Sequence, residues 1–176
     1  MATMHIDEIK MMARKAHEDA AFRDGLFATM MDGDREEAVH AAWALTHLPK
    51  TDNDFIAEHR EELFGLATMT ADVSLRRITL ALLERCEWSL EALNVEDDDV
   101  PDYYVALLDF SMVHMMMGEE PYGVRSLCMK LAYKLSLHYP ELLDELRQNL
   151  MMIEPEELGS GVKNTYYLNS ANSFNN

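Results

Sequence analysis

Seven histidines, two cysteines and an excess of carboxylates give this chain the raw material for metal or acid–base chemistry, so the first question is spacing. The densest carboxylate cluster is Glu96-Asp97-Asp98-Asp99, with Asp102 close behind. A calcium loop needs oxygen ligands at alternating positions, a glycine for its sharp turn and a closing bidentate glutamate. None of that pattern is here, and the run reads as a solvated acidic connection. His40 and His47 share a helix side but stand two turns apart, and there is no HExxH. His114 sits among Met112, Met115, Met116 and Met117 with no acidic residue at i+3 or i+4, as a half-buried packing histidine would. Cys86 and Cys128 fall on apolar helix faces, where burial disfavours the thiolate. There is no GxSxG and no glycine-rich phosphate loop, and Gly159-Ser160-Gly161 is a linker-like triplet. The sequence therefore nominates no catalytic residue, no metal site and no cofactor, and the expectation is a protein that is not an enzyme.

Composition narrows the partners. Lys and Arg total 15 against 32 Asp and Glu, a net charge of −17, while 48% of the 176 residues are apolar. The apolar share is too high for a disordered chain, and the length suffices for a real core. So acidic a surface repels nucleic-acid backbones and anionic membranes, and favours basic partners. The start, MATMHIDEIK, turns acidic at once instead of running from cationic to apolar. No stretch approaches the ~18 apolar residues that span a bilayer. Two buried thiols suit a reducing compartment, so a cytoplasmic location is expected.

The elements that would carry a site are all helical. Apolar residues at helical spacing predict helices over 6–17, 19–31, 36–48 and 54–67, with Asp34 and Asp54 as N-caps. Asp72 caps the next helix, carrying Leu75, Ile78, Thr79, Leu82 and Cys86. Residues 89–100 are expected to be a solvated connection with at most one short helical turn. A long helix follows over 101–117, with Tyr104, Leu107, Leu108, Met112 and Met115 inward and Gly118 at its end. Residues 121–150 read as a central hairpin of two antiparallel helices parted by Pro140. A last short helix is expected over 162–168, and 171–176 as a polar tail. The 14 methionines, with runs at Met115–117 and Met151–152, suit either core filling or an adaptable binding groove.

Three helix starts superpose without gaps: Ala38, Leu75 and Val124. Leu45 falls on Leu82 and Leu131, Arg76 falls on Arg125, and Gly161-Val162-Lys163 echoes Gly123-Val124-Arg125. Repeats near 40 residues made of two helices are the mark of α-solenoids. The runs AVHAAWALTHL, VSLRRITLALLERC and GVRSLCMKLAYKLSLHYPELLDEL resemble a HEAT-like (HEAT/armadillo-type) helical-repeat protein, and are similar to small bacterial members of that class. The resemblance spans about residues 34–168 and implies an all-α superhelix of about four stacked helix pairs, the last incomplete, forming one domain over 1–170. It also implies a protein-binding surface, lined on the concave side by the second helix of each pair: 54–67, 101–117 and 140–152.

The off-stripe residues of those helices are the candidate site: Glu58, Glu61, Glu62, Asp102, Tyr103, Asp109, Asp144, Glu145 and Gln148. They would form an acidic groove for a basic or amphipathic protein segment, or else be solvated helix faces. Two further readings remain. Some HEAT-like solenoids are DNA-repair glycosylases, but the cations Arg76, Arg77, Arg125, Lys130 and Lys134 lie on the first helices, expected to be convex, and the net charge opposes a duplex. A structural or self-associating module is the other, a monomer or weak homodimer joined through Val162, Tyr166 and Leu168 of the unfinished repeat.

Overall fold

The computed structural model describes residues 4–96, 99–153 and 163–166, and among these every regular element is helical. Local sequence starts the helices. Side-chain oxygens of Asp19, Asp34, Asp72 and Ser89 accept the free N–H groups of Phe22, of Glu36 and Glu37, of Leu75 and of Ala92. Chain contacts divide the molecule into two compact units, Met1–Cys86 and Glu87–Asn176.

The first unit holds α1 (Ile6–Glu18), α2 (Ala20–Asp32), α3 (Arg35–Thr46), a 3-10 turn (Lys50–Asp52), α4 (Asn53–Glu58), α5 (Arg60–Met69) and α6 (Val73–Arg85). α3 packs on α1, α2 and α6. Its buried stripe is Ala38, Ala41, Ala42, Ala44 and Leu45, and small side chains let three neighbours approach it closely. The chain turns from α2 into α3 at Gly33, where a Cβ would collide with the Thr29 carbonyl oxygen.

The sequence predicted a single helix over 54–67, and the structure breaks it at His59 (φ −106°, ψ 22°). Aromatic packing holds the break. The His59 ring stacks on Phe27 at 4.0 Å between centroids and meets Phe55 edge-on at 5.0 Å. Arg60 Nη1 closes the step by donating to the Ala57 carbonyl.

Arg85, the last residue of α6, fixes the far end of α3. Its Nη1 donates to the carbonyls of Thr46 (3.0 Å) and Leu45 (3.4 Å), and its Nη2 to those of Leu48 (3.0 Å) and Pro49 (3.2 Å). Asn53 Oδ1 accepts from the same guanidinium at 2.6 Å, and Asn53 Nδ2 returns a bond to the Arg85 carbonyl. One side chain thus ties together the ends of α3 and α6 and the start of α4. Burial pushes this guanidinium below its ordinary pKa, as expected for a cation desolvated against carbonyls.

The second unit holds α7 (Leu90–Leu93), α8 (Asp102–Met116), α9 (Tyr122–Ser136) and α10 (Pro140–Met151), with a further helical turn at 163–166. α7 is the single turn expected in the middle connection. It stops on Asn94 in the left-handed region (φ 54°, ψ 44°), a conformation asparagine tolerates. Just before it, Trp88 is fully buried and meets the Tyr104 ring edge-on at 5.9 Å, anchoring a stretch that otherwise reads as solvated.

α8 and α9 are clamped at both ends. Tyr104, near the start of α8, donates its hydroxyl to the Leu135 carbonyl at 2.6 Å. At the opposite end, buried Arg125 of α9 donates from Nε to the Met115 carbonyl at 3.0 Å. Arg76 does the equivalent in the first unit, donating from α6 to the carbonyls of Ala67 (3.2 Å) and Thr70 (2.9 Å) at the end of α5. The alignment of Arg76 with Arg125 therefore marks one repeated device. It also shifts the phase of the repeat. The closely packed hairpins are α2–α3, α5–α6 and α8–α9, and α9 packs more extensively on α8 than on α10. The hairpin read over 121–150 exists, but α10 is the lesser partner of α9.

Two measurements check this description. Arg85→Met leaves several carbonyls facing apolar surroundings, and should lower stability by about 2–3 kcal/mol, seen as a reduced denaturant midpoint at unchanged slope. A midpoint equal to wild type would mean that water satisfies those carbonyls. The second concerns pH. Burial pushes the Tyr104 hydroxyl up to about 12, with Tyr139 adding to the shift. The unfolded chain releases that proton near ~10 and the folded chain does not. Stability should therefore fall as pH rises from 10 to 12. Tyr104→Phe should be less stable at pH 8 by about 1 kcal/mol and lose less between pH 8 and 11 than wild type. Parallel losses in the two proteins would contradict the assignment.

Candidate functional site

The nine residues nominated from sequence are distributed over both units. Glu58 ends α4, and Glu61 and Glu62 occupy the first turn of α5, all three exposed in the first unit. Glu62 lies 3.6 Å from His59 Nδ1. The other six belong to the second unit. Asp102 and Asp109 are exposed on one side of α8, two turns apart, while Tyr103 is half-buried on a different side. Asp144, Glu145 and Gln148 are exposed on α10, and Asp144 pairs with Arg147 one turn on. Among the described residues, Glu58, Glu61, Asp102, Asp109 and Glu145 have no ion-pair partner.

The inward stripe of α8 is the expected one, with Tyr104, Leu107, Leu108, Met112 and Met115 all buried. The sequence reading missed the opposite face. Val105 is 48% exposed, Val113 57% and Met117 39%, and Ala106 is exposed beside them. At 3.6 residues per turn, Asp102, Val105, Ala106, Asp109, Val113 and Met117 lie on one side of the helix. α8 is therefore apolar on both faces, a pattern typical of a helix covered all round. β-Branched valines gain nothing from an exposed helix position, since they lose side-chain freedom there without burial. The signal was in the sequence as a second set of apolar residues at helical spacing, overlooked because the first set already accounted for the core.

Among the described residues no metal-binding cluster forms. No group of three His, Cys, Asp or Glu side chains converges there as ligands would. Asp97 and Asp98 of the acidic run lie outside the described residues. Cys86 and Cys128 are buried, and neither is in a disulfide. His114 has an acidic partner after all, at i+6: its Nδ1 lies 2.7 Å from Glu120 Oε1 across the α8–α9 turn, and its ring stacks on Phe110 at 3.8 Å. His17 Nδ1 meets both oxygens of Asp52 at 3.0 and 3.1 Å. Neither of these two histidines bonds a Ser, Thr or Cys side chain among the described residues.

The first unit carries hollows among its described residues, and none of the nine nominated residues lines the following ones. One, of about 470 Å³, sits at the starts of α3 and α6 between Asp34, Arg35, Glu36, Val39, His40, Asp72 and Ser74. A second of about 380 Å³ adjoins it through Arg35, Asp72 and Ser74. Arg35 and Asp72 form an ion pair there. The Leu75 N–H, then Arg35, hold the Asp72 carboxyl below its ordinary range, so this acid is committed to capping α6. The third, also about 380 Å³, is lined by Lys10, Ala13, Arg14, His17, His47 and Pro49.

In the unfinished repeat, Val162, Leu168 and the tail 171–176 lie outside the described residues. Tyr166 is half-buried, and buried Thr165 exchanges a 2.6 Å hydrogen bond with Ser126 of α9. That bond places the turn at 163–166 against α9, where a fourth repeat would stack. No helix of the described residues is long and apolar enough to cross a membrane.

No curated protein and no solved structure matches the chain. A family profile described as the HEAT repeat domain matches residues 1–167, nearly the whole sequence, and with the all-helical hairpins it shows that the chain belongs to the HEAT repeat family.

Proposed function

We propose that this chain is a non-catalytic interaction scaffold that takes a basic, amphipathic protein helix on the outer face of α8. HEAT repeats commonly serve as protein-interaction scaffolds. The observation that carries the finer reading is the make-up of that face: Val105, Ala106, Val113 and Met117 exposed between Asp102 and Asp109. A helix laid there would bury its apolar stripe on the valines and set lysines or arginines beside the two aspartates. Met117 adds a side chain that adapts to different shapes. α10 packs against α8, so Asp144, Glu145 and Gln148 add acidic and polar character to the same unit, which also holds Tyr103. In the first unit, Glu58, Glu61 and Glu62 are exposed acidic residues of their own. A nucleic-acid duplex is disfavoured, because its phosphates would meet these carboxylates in a chain of net charge −17.

The test is fluorescence anisotropy of a labelled amphipathic leucine–lysine helix with the full chain. Binding should weaken at least fivefold between 50 and 300 mM salt, as the charges are screened. Asp102→Lys with Asp109→Lys should weaken it at least tenfold, and Val113→Asp comparably. Asp24→Lys with Asp32→Lys on α2, an equal change of net charge, should have under a third of that effect. If the α2 pair weakens binding as much as the α8 pair, the contact is a diffuse charge effect and the face is not a site.

A further inference from the structure

We infer that the hollow between α1 and the end of α3 is an anion site, built for the phosphate group of a small phosphate monoester. Lys10, Arg14 and His17 follow one another at i, i+4 and i+7, on one side of α1. His47, the C-cap of α3, Pro49 and buried Ala13 complete the lining, and all of it but Ala13 is exposed. Every ionisable residue lining the hollow is basic. In a chain with 32 acidic residues against 15 Lys and Arg, that is not the surface average. Lys10 and Arg14 also have no carboxylate partner among the described residues. Their neighbour Lys15, by contrast, is engaged over the Phe22 ring at 4.1 Å and does not line the hollow.

The histidine is positioned rather than loose. Asp52, itself buried, holds His17 through Nδ1, which leaves Nε2 as the nitrogen able to reach a ligand. The C-terminal ends of helices are ordinarily poor places for anions, because their free carbonyls point outward. Here Arg85 covers the carbonyls of Leu45, Thr46, Leu48 and Pro49 and stands as a further cation beside Pro49. The net negative charge does not decide the matter, since salt screens charges beyond roughly 8 Å under physiological conditions and the lining groups are nearer than that to a bound ion. A lysine ammonium and an arginine fork supply donors from several directions, which suits a tetrahedral oxyanion. The volume, about 380 Å³, leaves room for a small organic group beside it.

The site stands independently of the α8 surface and is tested without any peptide. The full chain is titrated with inorganic phosphate and with phenyl phosphate, at constant ionic strength set by sodium chloride, and followed by amide NMR shifts. Saturable shifts are expected at α1 and around His47, with phenyl phosphate binding at least as tightly as inorganic phosphate. Lys10→Gln with Arg14→Gln should weaken both at least tenfold, while Lys50→Gln with Arg77→Gln changes neither by more than twofold. Shifts that rise linearly, that spread equally over all exposed cations, or that survive the Lys10 and Arg14 changes would overturn the site. Weaker binding of phenyl phosphate than of inorganic phosphate would overturn its assignment to an esterified phosphate.

Discussion

The last carbonyls of a helix have no N–H partner within that helix, and this chain buries several such ends. Short helices joined by tight turns press those ends against neighbours instead of leaving them in water. A guanidinium is the side chain best suited to the problem, because its fork can serve two carbonyls at once and stays charged when partly buried. Arg76 meets the end of α5, Arg85 the end of α3, and Arg125 the end of α8. In each case the arginine comes from a different helix than the one it completes. The bond therefore selects which helices lie together, and apolar stripes alone would not.

That constraint shapes the surface as well as the core. With only 15 Lys and Arg in the chain, arginines turned toward carbonyls are not available to balance exposed carboxylates. The acidic exterior follows in part from the way the helix ends are satisfied. Against such a background two departures stand out. The outer side of α8 is apolar where it would be expected to be polar, and the wall of α1 beside His47 is basic where acid would be expected. Both are features that packing among the described residues does not explain, which is why each is read as a place for something else.

Much of the fold was legible in the sequence because it depends on local rules. Asp34 and Asp72 announced helix starts, and the stripes of α3, α6 and α8 matched their buried residues. The repeated Arg76 and Arg125 were visible as an alignment, but not as caps, because the acceptors are backbone carbonyls whose direction exists only after the helices pair. The phase of the hairpins was lost for the same reason. The break at His59 was hidden because Phe27, which stacks on it, lies far away in sequence. His114 and Glu120 meet across a turn, at a spacing that a search along one helix does not sample. Of the candidate surface, Asp102 and Asp109 were nominated by charge, whereas Val105 and Val113 were not, since an apolar residue is assumed to face the core until exposure says otherwise. The basic hollow joins α1 to the end of α3, and only the tertiary fold brings Lys10 and Arg14 near His47.

The pairing of helices through their capped ends is the claim on which the remainder rests, and native-state hydrogen exchange of the full chain tests it most directly. If Tyr104 and Arg125 clamp one hairpin, the amides of α8 and α9 should open together as a single cooperative unit, with α10 exchanging earlier. If α9 and α10 open together while α8 exchanges independently, the hairpin has the other phase and the account is wrong.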